Sequence, residues 1–246
     1  MAAALIDDTT KTIRSIERAI DVLACFDHAT PQLSVTDLQK RTGLSRPTLY
    51  RILATLTGKG VIRSFGEPQR FALGHEASRL GANWIGQDDF ARAARPVLTR
   101  LWKETGETVA LFVAVENSKK ICIEELQSTQ ALTFTRGVGF MEDLETGASG
   151  KAMLAFTDEA SSDPAFDDVR RTGVRVSEGE IIEGAVAVAA PVFNRNGAIK
   201  GSVCVFGPEV RLSDNRRRDC IDRVRSASED ISRTLGYGSA VASAAE

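Results

Sequence analysis

The spacing of apolar residues predicts a helix near the start of the chain. Ser15 can cap it, and Pro31 marks the limit beyond which it cannot run, because proline cannot continue a helix. Between them, apolar side chains recur every three or four residues, the spacing of one helix face. The predicted buried face consists of Ile16, Ala19, Ile20, Leu23 and Phe26.

Two further helices are predicted after this one, with a tight turn between them. Ser34 can cap the second helix, and Asp37 three residues later makes a variant of the capping box. Gly43 supplies the turn. Ser45 can cap the third helix, and Pro47 lies in its first turn, where a missing N–H costs nothing. The inward positions are Val35, Leu38 and Leu44, followed by the stripe Leu49, Ile52, Leu53 and Leu56.

This pair of helices indicates DNA binding. Two short helices joined by a glycine-containing turn form a helix-turn-helix, whose second helix enters the major groove. Arginine can bind guanine with two hydrogen bonds, and threonine or tyrosine can reach a phosphate or a thymine methyl. We predict DNA contacts from Ser45, Arg46, Pro47, Thr48, Tyr50 and Arg51, and backbone contacts from Lys40, Arg41 and Lys59. A solvated face on a small helical bundle is the alternative that this pattern leaves open.

A predicted β-hairpin follows the third helix. Residues 61–65 and 70–73 alternate like strands around the polar turn 66–69. A hairpin directly after a recognition helix is the wing of a winged helix-turn-helix, here spanning residues 11–74. We expect Gln69 and Arg70 at its tip to reach the minor groove or phosphates.

The second half of the chain changes from helical to alternating spacing. A weakly helical, small-residue-rich stretch precedes a stronger helix that ends at Thr105, in which Pro96 predicts a kink or a restart. Antiparallel strands with helices on one side then indicate an α+β fold. The predicted strands are 109–115, 121–126, 131–136, 186–193 and 201–206, and the predicted helices are 148–156 and one capped by Ser213.

Charge and composition restrict the function further. The net charge is −2, yet residues 1–74 hold 10 basic against 7 acidic side chains, and the remainder is acidic. This distribution suits a DNA-binding head on an acidic body. No apolar run approaches the ~20 residues of a membrane span, and residues 1–10 lack the features of a signal peptide. Four scattered cysteines without a C-x-x-C pair predict reduced thiols in a cytoplasm.

Three segments resemble the IclR family of bacterial transcription regulators, and the resemblance covers nearly the whole chain. They are Ser15–Ala19, Leu44–Leu53 and Phe71–Gly74. The resemblance implies a linker helix at 75–87 and a GAF-like antiparallel effector domain at 88–238. It also implies a homodimer or homotetramer on palindromic double-stranded DNA, with a small-molecule effector and no cofactor, metal or membrane. The small, polar tail at 239–246 is expected to be disordered.

The segment Glu145–Lys151 is rich in glycine and opens a helix. It is not a P-loop, since that motif needs glycine at 145 and a hydroxyl at 152, where the chain has Glu145 and Ala152. Free N–H groups at the helix start favour a carboxylate, and a tightly packed, capped turn is the alternative. The resemblance implies that this segment lines the effector pocket. The pocket residues carried over are Ala131, Phe134, Ala148, Ser149, Ser177 in the loop before Gly184, Ala185, Ala187, Cys204 and Phe206.

The pocket positions depart from those of family members that bind small keto acids. Those members carry hydroxyl-bearing residues on the last strand, where this chain has Cys204 and Phe206. We therefore expect a larger, more apolar pocket with polar groups at one end. Its predicted ligand is an aromatic or medium-sized hydrophobic carboxylate.

The sequence contains no constellation of residues typical of an enzyme. Its two histidines, His28 and His75, belong to no Cys/His cluster, and no nucleophile elbow occurs. Two rivals to the regulator remain open. One is an enzyme with a helical adaptor head, and the other is a protein–protein adaptor whose winged helix binds no DNA. Substitution of Arg46 or Arg51 distinguishes the regulator from the adaptor, because only a DNA-binding protein would lose DNA affinity without these side chains.

Overall fold

The chain folds into two compact units, residues 1–87 and 88–246, in a computed structural model. The structure describes residues 12–27, 30–87, 89–116, 118–157 and 163–238. The predicted tail 239–246 and His28 lie outside these ranges. Within them, no helix combines the length and the apolar character that a bilayer crossing requires.

The first unit contains three helices, a hairpin and a fourth helix. The helices are α1 (Arg14–Ala24), α2 (Val35–Thr42), α3 (Arg46–Gly58) and α4 (His75–Gln87), and the hairpin strands are β1 (Ile62–Phe65) and β2 (Arg70–Leu73). The antiparallel register pairs Ile62 with Leu73 and Phe65 with Arg70. Leu33 adds an isolated bridge to Phe71 that the sequence did not predict. Order and type of elements are those of a winged helix-turn-helix.

The predicted buried face of α1 is wrong in part. The helix begins at Arg14 with Ile13 as its N-cap, so Ser15 is an internal residue. Ile16 and Ile20 are 56% and 57% exposed, whereas Val22 is fully buried. Apolar residues line both sides of this helix, and only the side that includes Val22 meets α2 and α3. Periodicity identified an apolar stripe but could not identify which stripe has a partner.

The capping box of α2 is confirmed. The Ser34 hydroxyl accepts a hydrogen bond from the Asp37 amide at 3.2 Å, and the Asp37 carboxylate accepts from the Ser34 amide at 3.0 Å. The side-chain and backbone hydrogen bonds from Ser34 hold the pKa of Asp37 below its ordinary value. Gly43 ends the helix in a left-handed conformation with φ of 67°. Leu38, Leu49 and Leu53 then form the core with the wing residues Ile62 and Phe71.

The second unit is a six-stranded antiparallel sheet with helices. The strand order is β5-β4-β3-β8-β7-β6. The strands are β3 (Thr108–Val115), β4 (Lys119–Leu126), β5 (Met141–Asp143), β6 (Arg175–Glu178), β7 (Ala185–Phe193) and β8 (Ile199–Pro208). The helices are α5 (Asp89–Thr105), α6 (Gly147–Leu154), α7 (Asp167–Thr172) and α8 (Asp214–Thr234), with a 3-10 turn at Pro164–Phe166. The α+β fold predicted from the sequence is confirmed.

Helices cover both faces of the sheet, not one as predicted. Alternate residues of each strand point to opposite faces. On β8, Val203 and Val205 pack in the cluster that includes α5 and α8, whereas Cys204 and Phe206 pack in the cluster that includes α6. The face next to α6 is therefore the one that can enclose a pocket.

One other prediction in this unit is wrong, and of the two outcomes predicted at Pro96 the restart does not occur. Residues 131–136 form no strand, and the fifth strand lies later, at Met141–Asp143. Side chains hold this segment instead, since Thr108 Oγ1 donates to the Phe134 carbonyl and Glu125 accepts from the Arg136 amide. The helix α5 also continues through Pro96 without a restart. Pro96 is exposed, so water can bind the carbonyl that it leaves unpaired.

Candidate DNA-binding face and ligand pocket

The start of α3 presents the predicted DNA-contacting residues to solvent. Ser45, Arg46, Pro47, Tyr50 and Arg51 are exposed, and Thr48, which is half-buried, shares a 3.0 Å hydrogen bond with the Ser45 hydroxyl. Within the described part of the chain, neither the Arg46 nor the Arg51 guanidinium has a hydrogen-bond or ion-pair partner. Both can therefore donate to an incoming phosphate or base.

The wing places further polar groups on its outer surface. Gln69 Nε2 donates to Ser64 Oγ at 2.8 Å across the hairpin, and Arg70 is exposed beside it. Arg63, which the sequence analysis missed, lies over the ring of Phe65 at 5.0 Å from its centroid. The alternation of β1 could have revealed it, because Arg63 directly follows the buried Ile62.

Arg41, which was predicted to contact the DNA backbone, has a structural role within the head. Its Nη1 donates to the Cys25 carbonyl at 2.8 Å and to Thr30 Oγ1 at 3.0 Å. These bonds attach α2 to the end of α1 and the residues after it. The guanidinium is thus engaged within the head.

A pocket lies between the sheet and α6 in the second unit. Eight of the nine effector residues predicted from the resemblance line it: Phe134, Ala148, Ser149, Ser177, Ala185, Ala187, Cys204 and Phe206. The ninth, Ala131, is exposed and takes no part, because its segment is not the predicted strand. Ser177 lies on the edge strand β6 and not in a loop.

The pocket is smaller and more charged than the sequence suggested. Its free volume is about 40 Å³. The lining residues that the sequence analysis missed are Phe112, Arg136, Glu142, Glu180, Ile181 and Ile182. Most of them belong to irregular segments or to a short edge strand, where no periodicity indicates which way a side chain points. Phe112 alone was detectable, since it alternates with the residues of β3 that pack beneath α5 and α8.

The glycine-rich turn 145–151 is tightly packed, which was the alternative to a carboxylate-binding site. A carboxylate of this chain itself lies at the start of the helix α6 that follows. Glu180 accepts a hydrogen bond from the Gly147 amide at 3.1 Å and pairs with Lys151. Burial raises the pKa of Glu180, but the hydrogen bonds from Lys151 and Gly147 outweigh it and the pKa is lowered. A Cβ on Gly150 would lie 1.8 Å from the Leu144 carbonyl oxygen, so only glycine permits this approach.

Lys120 is a fully buried cation beneath the same turn. It lies outside the predicted strands 109–115 and 121–126, but in the structure it belongs to β4, and its Nζ donates to the carbonyls of Asp143 (3.2 Å) and Thr146. Glu142 Oε1 lies 3.7 Å away. Burial lowers the pKa of Lys120, and the nearby Glu142 opposes this effect. The ammonium ties β4 to the turn that precedes α6 and neutralises Glu142 at the pocket wall.

Arg136 is the cation of the pocket without a carboxylate partner. Its guanidinium lies over the ring of Phe140, 5.1 Å from the centroid. In the described ranges it forms no ion pair, whereas Lys120 pairs with Glu142 and Lys151 with Glu180. An incoming anion would therefore find Arg136 available.

The thiols near the pocket are protonated at neutral pH. All four cysteines are free. Burial raises the pKa of Cys204 to about 12 and raises that of Cys122 as well, so neither is a thiolate at neutral pH. Among the residues that the structure describes, no group of histidine, cysteine and carboxylate side chains could hold a metal ion.

Comparisons with known proteins agree with this architecture along the whole chain. The IclR helix-turn-helix domain model matches residues 15–64, and the model of the bacterial transcriptional regulator IclR C-terminal domain matches residues 82–167 and 163–233. The HTH-type transcriptional regulator BhcR of Paracoccus denitrificans is 27% identical over 243 residues, covering 89% of this chain and 86% of that protein.

Solved structures share the fold. An IclR transcriptional regulator from Alicyclobacillus acidocaldarius has a TM-score of 0.78 at 22% identity, covering 92% of this chain and 100% of that one. An IclR homologue from Microbacterium hydrocarbonoxydans, solved with 4-hydroxybenzoate, has a TM-score of 0.73 at 19% identity, covering 90% of this chain and 98% of that one.

Proposed function

We propose, from the premise that the chain belongs to the IclR family of bacterial transcriptional regulators, that it binds a palindromic operator and responds to an organic acid. The protein is a transcriptional regulator and not an enzyme. In this proposal the DNA-binding domain spans 11–74, a linker helix spans 75–87, and the effector domain spans 88–238. A regulator of this kind works in the cytoplasm, where its DNA is.

The observation that carries the DNA contact is the free guanidinium pair on α3. Arg46 and Arg51 are exposed and unpaired within the described residues, at the end of the helix that enters the major groove in this motif. Gln69 and Arg70 on the wing would reach the flanking backbone or minor groove. Specific base contacts and phosphate contacts would both come from this surface.

Substitution of either arginine tests the DNA contact. The operator is first selected by sequencing DNA fragments retained by the purified protein. Arg46→Ala and Arg51→Ala should each weaken operator binding by about 1–3 kcal/mol in a fluorescence anisotropy titration. Arg92→Ala, at an exposed position of α5, is the control and should leave the affinity unchanged. Equal affinities for all four proteins would favour the adaptor interpretation.

A homodimer is the smallest assembly that we propose. One recognition helix reads too few base pairs for adequate specificity, so a palindrome is read by two. The exposed side of α1 carries Ile13, Ile16 and Ile20, an apolar row that a second copy could cover. Sedimentation of Ile16→Asp beside the wild type tests this, since a fully retained dimer would exclude this face.

For the effector we propose an aromatic carboxylate. The pocket offers the rings of Phe112, Phe134 and Phe206 and the unpaired guanidinium of Arg136. Aromatic rings suit an aromatic ligand, and a guanidinium can bind a carboxylate through two charge-assisted hydrogen bonds. The 4-hydroxybenzoate complex of the Microbacterium relative supports this class of ligand.

Calorimetric titration with benzoate, pyruvate and glyoxylate tests the effector class. Benzoate should bind most tightly, and Arg136→Gln should weaken it by about 1.5–3 kcal/mol, the contribution of a hydrogen bond to a charged group. Arg171→Gln on the exposed helix α7 is the matched control and should bind as the wild type does. Tighter binding of the keto acids would refute the proposed class.

A further inference from the structure

The segment Gly179–Gly184, named here the strap, connects the edge strand β6 to β7 without regular structure. Glycines in a left-handed conformation bound it, with φ of 63° at Gly179 and 72° at Gly184. Glycine adopts such angles at little cost, so the two ends can serve as hinges. The strap carries Glu180, Ile181 and Ile182 into the lining of the pocket.

Glu180 and Ile181 attach the strap to the first turn of α6. The Glu180 carboxylate accepts from the Gly147 amide at 3.1 Å and pairs with Lys151. Ile181 packs against the same residue, since its Cδ1 lies 2.6 Å from where a Cβ on Gly147 would stand. Ile181 is nevertheless 41% exposed, so the strap has the pocket on one side and solvent on the other.

The volume beneath the strap is too small for the ligand class that the lining favours. About 40 Å³ is free. A single water needs roughly 10–15 Å³ of free volume, and a cavity that binds benzene has about 150 Å³. An aromatic acid therefore requires one wall of the pocket to move.

The strap is a wall that can move at a lower cost than the central strands of the sheet. The strands β3, β7 and β8 are paired on both sides, so displacing them would break many backbone hydrogen bonds. The strap is held by few backbone bonds, among them the Gly179 amide to the Ala185 carbonyl and the Glu209 amide to the Gly184 carbonyl. Local opening draws on segments with few such bonds.

We propose that the strap is a lid over the effector pocket and that the effector opens it. The contacts of Glu180 with the first turn of α6 hold the lid shut. This inference rests on the proposed function, because it takes the pocket to be the effector site. If the strap must open, the apparent affinity for the effector is the intrinsic affinity multiplied by the fraction of molecules in the open state. The pKa of Glu180, lowered mainly by its hydrogen bonds from Lys151 and Gly147, keeps the carboxylate charged and the strap held at neutral pH.

Glu180→Gln tests the lid in the full-length protein. Glutamine keeps the size of the side chain but removes the charge that pairs with Lys151. The variant should bind benzoate roughly 3- to 10-fold more tightly than the wild type in calorimetric titration, as expected for loss of a partly exposed, charge-assisted contact. Glu183→Gln is the matched control, since it removes one negative charge from the same strap. Because Glu183 is exposed, this substitution should leave the affinity for benzoate unchanged.

Hydrogen exchange of the ligand-free proteins gives a second readout that needs no effector. The amides of the strap and of Gly147 should exchange faster in Glu180→Gln than in the wild type or in Glu183→Gln. If benzoate binds to none of the proteins, the proposed ligand class fails while this exchange difference still supports the lid. The lid proposal is overturned if the exchange rates of these amides are unchanged in Glu180→Gln. It is also overturned if Glu180→Gln binds benzoate as tightly as the wild type or more weakly.

Discussion

The DNA-binding head and the ligand pocket are built in different ways. The recognition face of the head comes from one short stretch, residues 45–51, on a single helix whose inner side is buried. The pocket draws its lining from segments between Phe112 and Phe206, which comprise five strands, one helix and two irregular segments. A local pattern therefore specifies the first site, and only the tertiary fold specifies the second.

The difference also appears in the charged groups of the two regions. On the head, Arg46 and Arg51 are free of partners in the described ranges and can bind an external polyanion. Around the pocket, Lys120 and Lys151 pair with the lining carboxylates Glu142 and Glu180, and the Arg136 guanidinium is left for a ligand. The head is thus ready to bind as it stands, whereas the pocket needs a rearrangement before a ring can enter.

Lys120→Met should have the largest effect on stability. The change leaves Glu142 without its buried cation and two carbonyls without a donor, at an expected cost of about 3–5 kcal/mol in the free energy of unfolding. The adjacent Lys119 pairs with Asp143 at an exposed site, so Lys119→Met should cost less than about 1 kcal/mol. Urea denaturation of both variants checks the contrast. Equal losses would show that the buried pair has no special role in the pocket region.

Leu49→Ala should destabilise the head alone. Leu49 is fully buried in a cluster made only of head residues, and removal of a buried leucine side chain costs roughly 2–5 kcal/mol. Thr55→Ala, exposed on the same helix, is the control. Hydrogen exchange resolves the two units, with faster exchange expected in α3 and no change in β3. Faster exchange in both would mean that the units do not unfold separately.

Ser34→Ala should have a smaller effect, because it removes one capping interaction from α2. The expected loss in the free energy of unfolding of the head is about 1 kcal/mol. Thr36→Ala, at an exposed position of the same helix, should change stability by less. Thermal unfolding followed by circular dichroism compares the two variants. A stability of Ser34→Ala equal to that of Thr36→Ala would contradict a stabilising capping box.

The pH dependence of this cap should be the smallest effect. The hydrogen bonds from Ser34 lower the pKa of Asp37 in the folded state. Stability from this group is therefore fully present above the unfolded aspartate pKa of ~3.9 and is lost as pH falls through the lower folded value. An NMR titration of the Asp37 carboxyl should show its midpoint rise in Ser34→Ala. An unchanged midpoint would assign the shift to another cause.

The sequence predicted the head more completely than the pocket. Ser34 with Asp37, Gly43 and the stripe of α3 each depend on neighbours within four residues, and each lies where the pattern placed it. The error at Ile16 and Ile20 arose because a helix with two apolar sides does not reveal which side meets a partner. That information lies in α2 and α3.

In the second unit, strand alternation located the main strands and the resemblance located most pocket residues. The missed charges lie in segments without a period. Arg136 belongs to an extended segment fixed by the Glu125 carboxylate, and Glu180 belongs to the strap. Neither segment has a local spacing that determines the direction of a side chain. The backbone at Arg136 is fixed by Glu125, 11 positions away, and the Glu180 carboxylate is fixed by the Gly147 amide, 33 positions away.

By itself, the sequence determined that this protein has a winged helix-turn-helix with a free basic face and an α+β second unit. Periodicity, caps and turn residues are local, so they act before any long-range contact exists. Only the tertiary structure decided that Lys120 is buried, that Glu180 lies at the start of α6 and that the Arg136 guanidinium has no ion-pair partner among the described residues. The physical reason is that burial and charge pairing depend on which distant segments the fold brings together.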